Sequence, residues 1–366
     1  MHFFKLNLFF DIILFYFKLT YCLSYYLYTR IINCMNKIIL SSFFLFFYIV
    51  LFAQNNPKEL GTVNWYRNLQ KAKTESNLLH KPILILFQEV PGCSTCKNYG
   101  SNVLSHPLVK EAIETHFVPL CVYNNIGGED KKALDYFNEP SWNNPVVRIV
   151  DSNLEDIVTR INGDYSSYGL VSGMVAALQN ANKTIPEYLK LLESEFKSKA
   201  LGTEKTTIGM YCFWSGEKLY GKLDGVVATK AGFMGGSEVV EVEYCPRQIS
   251  LKTLINEGKQ NSCADRIFSE RESDLKIDQR ALSTFRTDKE NKYYIYNSQY
   301  KTVPMTSLQA TRINSLLAQG KAVESLLSPR QIQIFHSAKN KNLKNYIGEE
   351  IVKVWDEAYS NVATNK

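Results

Sequence analysis

Five consecutive apolar residues, Ile83-Leu84-Ile85-Leu86-Phe87, mark the first buried strand of the chain. A short apolar run between polar residues fits a strand covered on both faces. Residues 117–123 give a second such run, and residues 143–151 a third that opens on Pro145. Proline is tolerated at a strand start, where no ladder donor is lost. Residues 157–161 read as a further strand. Residues 55–81 are helical in pattern with Trp65, Leu69, Leu78 and Leu79 as core contacts. Residues 97–112 form a helix broken near Ser105-His106-Pro107, a short helix ends at Phe137, and another spans 167–180. Residues 195–207 are polar and lysine-rich and read as a linker. Beyond them Val240, Val242 and Tyr244 alternate with Glu241 and Glu243, a half-buried strand with both glutamates facing solvent. The same period of two puts Glu238 on the inward face. In the tail, Thr306 with Gln309 and Ser328 with Gln331 have the spacing of capping boxes, and Ile351, Val354 and Trp355 form an amphipathic stripe. These last helices are expected to pack on the second half of the chain.

The length of 366 residues suggests two domains. Residues 1–53 stand apart from both. They are dense in Phe, Leu, Ile and Tyr, and a second start at Met35 would give a short basic region, an apolar stretch and a cleavage point at Ala53-Gln54. That layout predicts a secretory signal peptide and a periplasmic or secreted protein. The other reading is a membrane anchor. Lys5, Lys18, Arg30 and Lys37 against Asp11 give this segment +3 of the formal +6, leaving a body near +3. So weak a bias, without a basic patch, argues against a nucleic-acid partner. Six of the eight cysteines lie in the body. A body of roughly 310 residues buries its own core and needs no disulfide staples, so reactive thiols are expected among them. His80, His106, His116 and His336 show no metal spacing, and neither a metal nor a cofactor is expected.

The chemistry concentrates at Pro91-Gly92-Cys93-Ser94-Thr95-Cys96, between the first strand and the helix that follows. A cysteine at a helix N-terminus faces free N–H groups and the positive end of the dipole, which favours its thiolate. Cys93 would then attack a disulfide and Cys96 resolve the mixed product. Cys121, inside an apolar run, reads as a small core residue. Pro145, preceded by polar residues, suits a cis bond beside the redox turn, an ordinary trans proline being the other reading.

The order strand, Cys-x-x-Cys helix, strand, helix, Pro-strand, strand, helix resembles the thioredoxin fold over about residues 60–195. In that family a cis-proline faces the active cysteines, which would make Pro145 a substrate contact. Val90-Pro91-Gly92-Cys93 with Cys96 looks like the bacterial thioredoxin-like group named for a Val-Pro-Gly-Sec motif. Farther on, Cys212-Phe213-Trp214, the stretch Gly225-Val226 to Gly235-Gly236, Glu238-Val239-Val240 and Ile249-Ser250 are similar to peptide methionine sulfoxide reductases of the A type. The resemblance implies that Cys212 attacks a sulfoxide sulfur, that Phe213 and Trp214 wall the methyl pocket, and that Glu238 protonates the oxygen, burial favouring its acid form. Two departures stand out. Tyr211 replaces the family's glycine. A segment of nearly twenty residues, with a tyrosine that helps hold the oxygen, is absent between Gly236 and Ser237.

These readings predict an α/β and α+β protein: a leader over 1–53, a thioredoxin-like domain over 54–195, a linker over 196–207, and a sulfoxide-reductase-like domain with a helical tail over 208–366. The expected activity is thiol-dependent reduction of peptide methionine (S)-S-oxide, with electrons passed from the tethered Cys93–Cys96 dithiol to Cys212. Cys245 and Cys263 are candidates to resolve the Cys212 sulfenic acid, with Cys245 favoured because it ends the strand that carries Glu238. Expected partners are an oxidised protein or small-molecule sulfoxide or disulfide and a membrane or periplasmic thiol reductant. The alternatives are a thiol–disulfide oxidoreductase whose second domain only binds substrate, and a non-catalytic binding protein with its cysteines locked in a structural bridge.

Overall fold

The computed structural model describes residues 56–269, 277–338 and 344–363. The leader read over 1–53, with Met35 and the cleavage point, lies outside these residues. In chain order the first lobe runs α1 (Leu69–Leu79), β1 (Ile83–Gln88), α2 (Ser94–Asn98), a wider helical turn over Tyr99–Leu104, α3 (Pro107–His116), β2 (Val118–Tyr123), α4 (Glu129–Tyr136), β3 (Val146–Val150), β4 (Ile161–Asn162), α5 (Ser167–Asn180) and α6 (Glu187–Leu201). Its sheet has the order β2-β1-β3-β4, with β1 parallel to β2 and antiparallel to β3. Strand β1 is buried throughout because alternate side chains feed two separate cores. Leu84 and Leu86 meet α3 and α5, whereas Ile83, Ile85 and Phe87 meet Ala72, Leu134 and Phe137. Each such side chain contributes about 1.5–3 kcal/mol through burial.

Three expectations for this half are revised. The helix expected over 55–81 starts only at Leu69, where the Asn68 side chain accepts the Lys71 N–H, and ends in left-handed His80. Leu78 and Leu79 therefore face solvent, Leu78 being 71% exposed, while Ala72 and Ser76 point inward. The strand expected over 157–161 is reduced to Ile161–Asn162, because Asp151 folds the preceding residues into a turn by accepting the Asn153 and Glu155 N–H groups. Residues 196–207 are no linker. Helix α6 continues to Leu201, Gly202 turns the chain at φ 94°, and a strand begins at Glu204. Polar residues there are polar because they bond: the Glu195 carboxylate accepts the Leu308 N–H at 3.0 Å, and Ser198 Oγ donates to Gln248 Oε1 at 3.2 Å.

The second lobe runs β5 (Glu204–Met210), α7 (Phe213–Tyr220), β6 (Val226–Met234), β7 (Ser237–Tyr244), α8 (Leu251–Gln260), β8 (Ala264–Phe268), β9 (Asp278–Arg280) and β10 (Arg286–Thr287). Its sheet has the order β10-β6-β7-β5-β8-β9, antiparallel except for the β8–β9 pair. On β7, Val240, Val242 and Tyr244 are buried as the alternation predicts. Glu241 and Glu243 are half-buried and bonded, to Lys205 and Thr203 respectively.

The tail adds α9 (Tyr293–Tyr296), α10 (Ser307–Leu317), α11 (Pro329–Ser337) and α12 (Ile351–Ala363). Both capping boxes form, at Thr306 with Gln309 and at Ser328 with Gln331. Contrary to expectation, the tail does not pack on the second lobe alone. Ile313, Ile334, Ile351, Val354 and Trp355 share one core with Leu84, Leu108 and Leu189 of the first lobe. The buried Glu111 carboxylate fastens this contact by accepting from Ser328 Oγ at 2.6 Å and from the Arg330 N–H at 2.7 Å.

Candidate active site

Each lobe carries a cysteine where a strand hands over to a helix. In the first, Cys93 stands at the N-cap of α2 with extended φ/ψ of −70° and 179°, and it is exposed. Its thiol is pulled below the usual value, first by the backbone N–H of Cys96 and further by the Cys96 and Thr95 groups around it. Cys96 lies one turn on, buried, with Sγ 3.5 Å from Cys93 Sγ. Burial, and then the neighbouring Cys93 sulfur, push the Cys96 thiol up to about 11. One sulfur is thus primed to attack, and its partner holds its proton until the first is engaged.

The surrounding loop fixes this pair. The Asn144–Pro145 bond is cis, as is Val90–Pro91, and Asn144 Oδ1 accepts from Cys96 Sγ at 2.8 Å. Gly92 is required by space: a Cβ there would stand 2.4 Å from Glu89 O and 2.7 Å from Cys96 Cβ. The Gly92 N–H donates to the buried Glu59 carboxylate at 2.9 Å. The Glu89 carboxylate and both sulfurs lie within 4.8 Å of one another. Neither glutamate stood out in the sequence, since each becomes relevant only once the loop folds back. Cys121 is fully buried, where desolvation pushes its thiol far up.

In the second lobe Cys212 forms the N-cap of α7 and is half-buried. The Glu238 carboxylate accepts the Phe213 N–H at 3.0 Å, which caps the first turn of α7 and brings the acid beside Cys212. Glu238 reaches this position because β6 and β7 meet in a two-residue turn, Gly235-Gly236, both with positive φ (55° and 77°). Only glycine adopts the geometry of this hairpin readily at both places. Tyr211 is 90% exposed, so the side chain that replaces a glycine leaves the pocket free.

Directly after Cys212 an aromatic cluster begins. Phe213 lies 5.5 Å from Trp214 and 5.4 Å edge-on from Phe233, centre to centre. Tyr293 stacks on Trp214 at 3.9 Å. The adjacent Tyr294 has its hydroxyl pushed up, mainly by burial and then by the Cys212 charge. Sequence reasoning missed this pair, although the aromatic run Tyr293-Tyr294-Ile295-Tyr296 was its signal. The pair is held from below. Buried Lys292 donates from Nζ to Glu217 Oε1 at 3.0 Å and to Thr229 Oγ1 at 2.7 Å, while Asn314 Oδ1 accepts the Tyr294 N–H at 3.1 Å.

The two resolving candidates separate clearly. Cys245 is 0% exposed and follows the far end of β7. At about 3.4 Å per residue, seven residues set it roughly 24 Å from Glu238 along the strand. The preference for Cys245 is therefore reversed. Cys263 sits beside the nucleophile: its carbonyl accepts the Tyr211 N–H at 3.3 Å, and Met210 pairs with Ala264. Its thiol is pushed up by burial and then by the charge of Cys212.

The fold is mixed α/β with a thioredoxin-like domain, and residues 64–152 match the thioredoxin-like family model named Thioredoxin_7. The DsbH oxidoreductase structure is similar over 35% of this chain and 92% of its own, at 18% identity and a TM-score of 0.29. Elsewhere the chain is similar to peptide methionine sulfoxide reductases MsrA. It is 37% identical over 71 residues to that of Methanococcus maripaludis strain C5, covering 15% of this chain and 45% of the relative. It is 54% identical over 70 residues to that of strain C6, covering 14% and 45%. The Drosophila melanogaster enzyme is 41% identical over 63 residues, covering 14% and 26%. The chain spans less than half the length of these relatives.

Proposed function

We propose that the protein is an exported thiol-dependent oxidoreductase that reduces peptide methionine (S)-S-oxide at Cys212. The observation that carries this reading is the Glu238 carboxylate bonded at 3.0 Å to the first N–H of the Cys212 helix, whose Trp214 stacks on Tyr293. Cys212 attacks the sulfoxide sulfur while Glu238 and the Tyr294 hydroxyl hydrogen-bond its oxygen, with Glu238 donating the proton. The oxygen passes to Cys212 as a sulfenic acid and methionine leaves. Cys263 then forms a disulfide with Cys212 and releases water. The Cys93–Cys96 dithiol reduces that disulfide and is itself oxidised, to be recharged by an external thiol reductant. Phe213 and Trp214 supply the apolar wall for the methyl group.

The test is sulfoxide reduction by the body of the chain with dithiothreitol as reductant. Turnover is expected in the wild type, absent in Cys212→Ser, and lowered about a hundredfold in Tyr294→Phe, the usual scale for one donor to a developing oxyanion. Lack of turnover in the wild type, or its survival in Cys212→Ser, overturns the reading.

A second reading, a thiol–disulfide oxidoreductase whose second lobe only recognises substrate, draws on the opposite displacement of the Cys93 and Cys96 thiols. Disulfide reduction that depends on Cys93, without any sulfoxide turnover, would select it.

A further inference from the structure

We infer that the reduced Cys93–Cys96 pair and the Glu89 carboxylate form a binding site for one Zn²⁺ ion. The expectation of no metal rested on histidine spacing, and this donor set contains no histidine. The three donor atoms lie within 4.8 Å of one another, and the sulfurs are 3.5 Å apart. In a tetrahedral zinc site, with Zn–S of about 2.3 Å and Zn–O of about 2.0–2.2 Å, neighbouring ligand atoms stand roughly 3.5–3.8 Å from each other. The sulfurs already have that spacing. Within 4.8 Å, the carboxylate has to close by at most about an ångström, within reach of a side-chain adjustment on a residue that is only half-buried.

The loop behaves as a preformed chelate. With no side chain on Gly92, the Glu89 carbonyl and Cys96 Cβ pack into the space a Cβ would take, which brings the two residues together. In the free dithiol Cys96 Sγ donates to Asn144 Oδ1 at 2.8 Å, a bond the sulfur exchanges for the metal when it ionises. Cys96 is buried and Cys93 exposed, so the ion would be anchored on the inner side and reached from solvent. Three protein donors leave a fourth position for water, the arrangement of an open zinc site. The donor chemistry selects the metal. Copper(I) favours sulfur and gains little from a carboxylate, magnesium and calcium take oxygen donors, and zinc accepts both kinds. Bound zinc would keep both sulfurs as thiolates without changing their oxidation state. It would block disulfide exchange, whereas oxidation of the pair to a disulfide would remove both sulfur donors.

The probe is zinc chloride, titrated into the reduced full chain against a chromophoric chelator. One equivalent is expected that persists in Cys212→Ser, disappears in Cys93→Ser, Cys96→Ser and the oxidised chain, and weakens at least tenfold in Glu89→Gln. Cobalt(II) in place of zinc should give thiolate charge-transfer absorption that both serine variants at 93 and 96 lose. Circular dichroism confirms that each variant is folded. Glu89→Gln titrating like the wild type, or the equivalent surviving in Cys93→Ser, overturns the inference. Metal-free disulfide exchange by the same proteins keeps the questions separate. Normal exchange without zinc uptake removes this site alone, and zinc uptake without exchange removes the redox reading alone.

Discussion

Cys93 and Cys96 are one helical turn apart, yet their thiols move in opposite directions from the ordinary value near 8.5. Donors from the first turn stabilise the Cys93 thiolate, and burial penalises that of Cys96. A lowered pKa means more thiolate at neutral pH, so alkylation of Cys93 should rise with pH through a midpoint below that of an ordinary thiol. Cys96 should react only as pH approaches about 11. Mass spectrometry of the reduced chain after brief iodoacetamide pulses would read both midpoints, and matching midpoints for the two cysteines would contradict the geometry. The redox pair was legible in the sequence because its spacing and its helix are local. The choice between Cys245 and Cys263 was not. It depends on which end of β7 meets Cys212 and on a backbone bond between Tyr211 and Cys263, both fixed by strand pairing across the sheet.

The β6–β7 hairpin is the element that sets an acid beside Cys212. Its turn residues both have positive φ, and Glu238 is the second residue after it, paired with Phe233. A side chain in the left-handed region costs about 1–2 kcal/mol per residue unless it is glycine, asparagine or aspartate. Gly235→Ala with Gly236→Ala should therefore lower stability by roughly 2–4 kcal/mol in denaturant unfolding. Sulfoxide turnover should fall with it as Glu238 loses register. Gly235→Asn, which suits the first position of such a turn, should stay near wild type in both measurements. If the double alanine variant keeps wild-type stability, the tight turn is not what holds β7 in place. The alternation on β7 was legible from residue types alone, whereas α9 was not. Its tyrosines matter through Lys292, Glu217 and Asn314, which lie far apart in the chain and meet only after packing.

The first lobe is fastened to the tail through Glu111 with Ser328 and Arg330 and Glu195 with Leu308, and to the second lobe through Ser198 with Gln248. Residues 196–207 looked like a flexible tether in the sequence because they are polar. They instead complete a helix and start a strand, so the slack that a swinging relay needs is missing. A cavity of about 530 Å³ between the lobes is lined by His106 and Lys205. Cys93 precedes His106 by an eleven-residue helical stretch (94–104), roughly 16 Å at 1.5 Å per residue. Cys212 follows Lys205 by seven residues of mostly extended chain, up to about 24 Å. Neither Cys93 nor Cys212 lines that cavity. Electron transfer from Cys93–Cys96 to Cys212 is then expected between two molecules. Cys212→Ser retains the dithiol, and a Cys93→Ser, Cys96→Ser double variant retains Cys212 and Cys263. Each alone should be inactive with a reductant that recharges only the Cys93–Cys96 pair. Mixed, they should recover turnover at a rate that grows with the product of their concentrations. If the mixture stays inactive while the wild type turns over at a rate proportional to its own concentration, transfer runs within one chain, and the lobes must part to allow it.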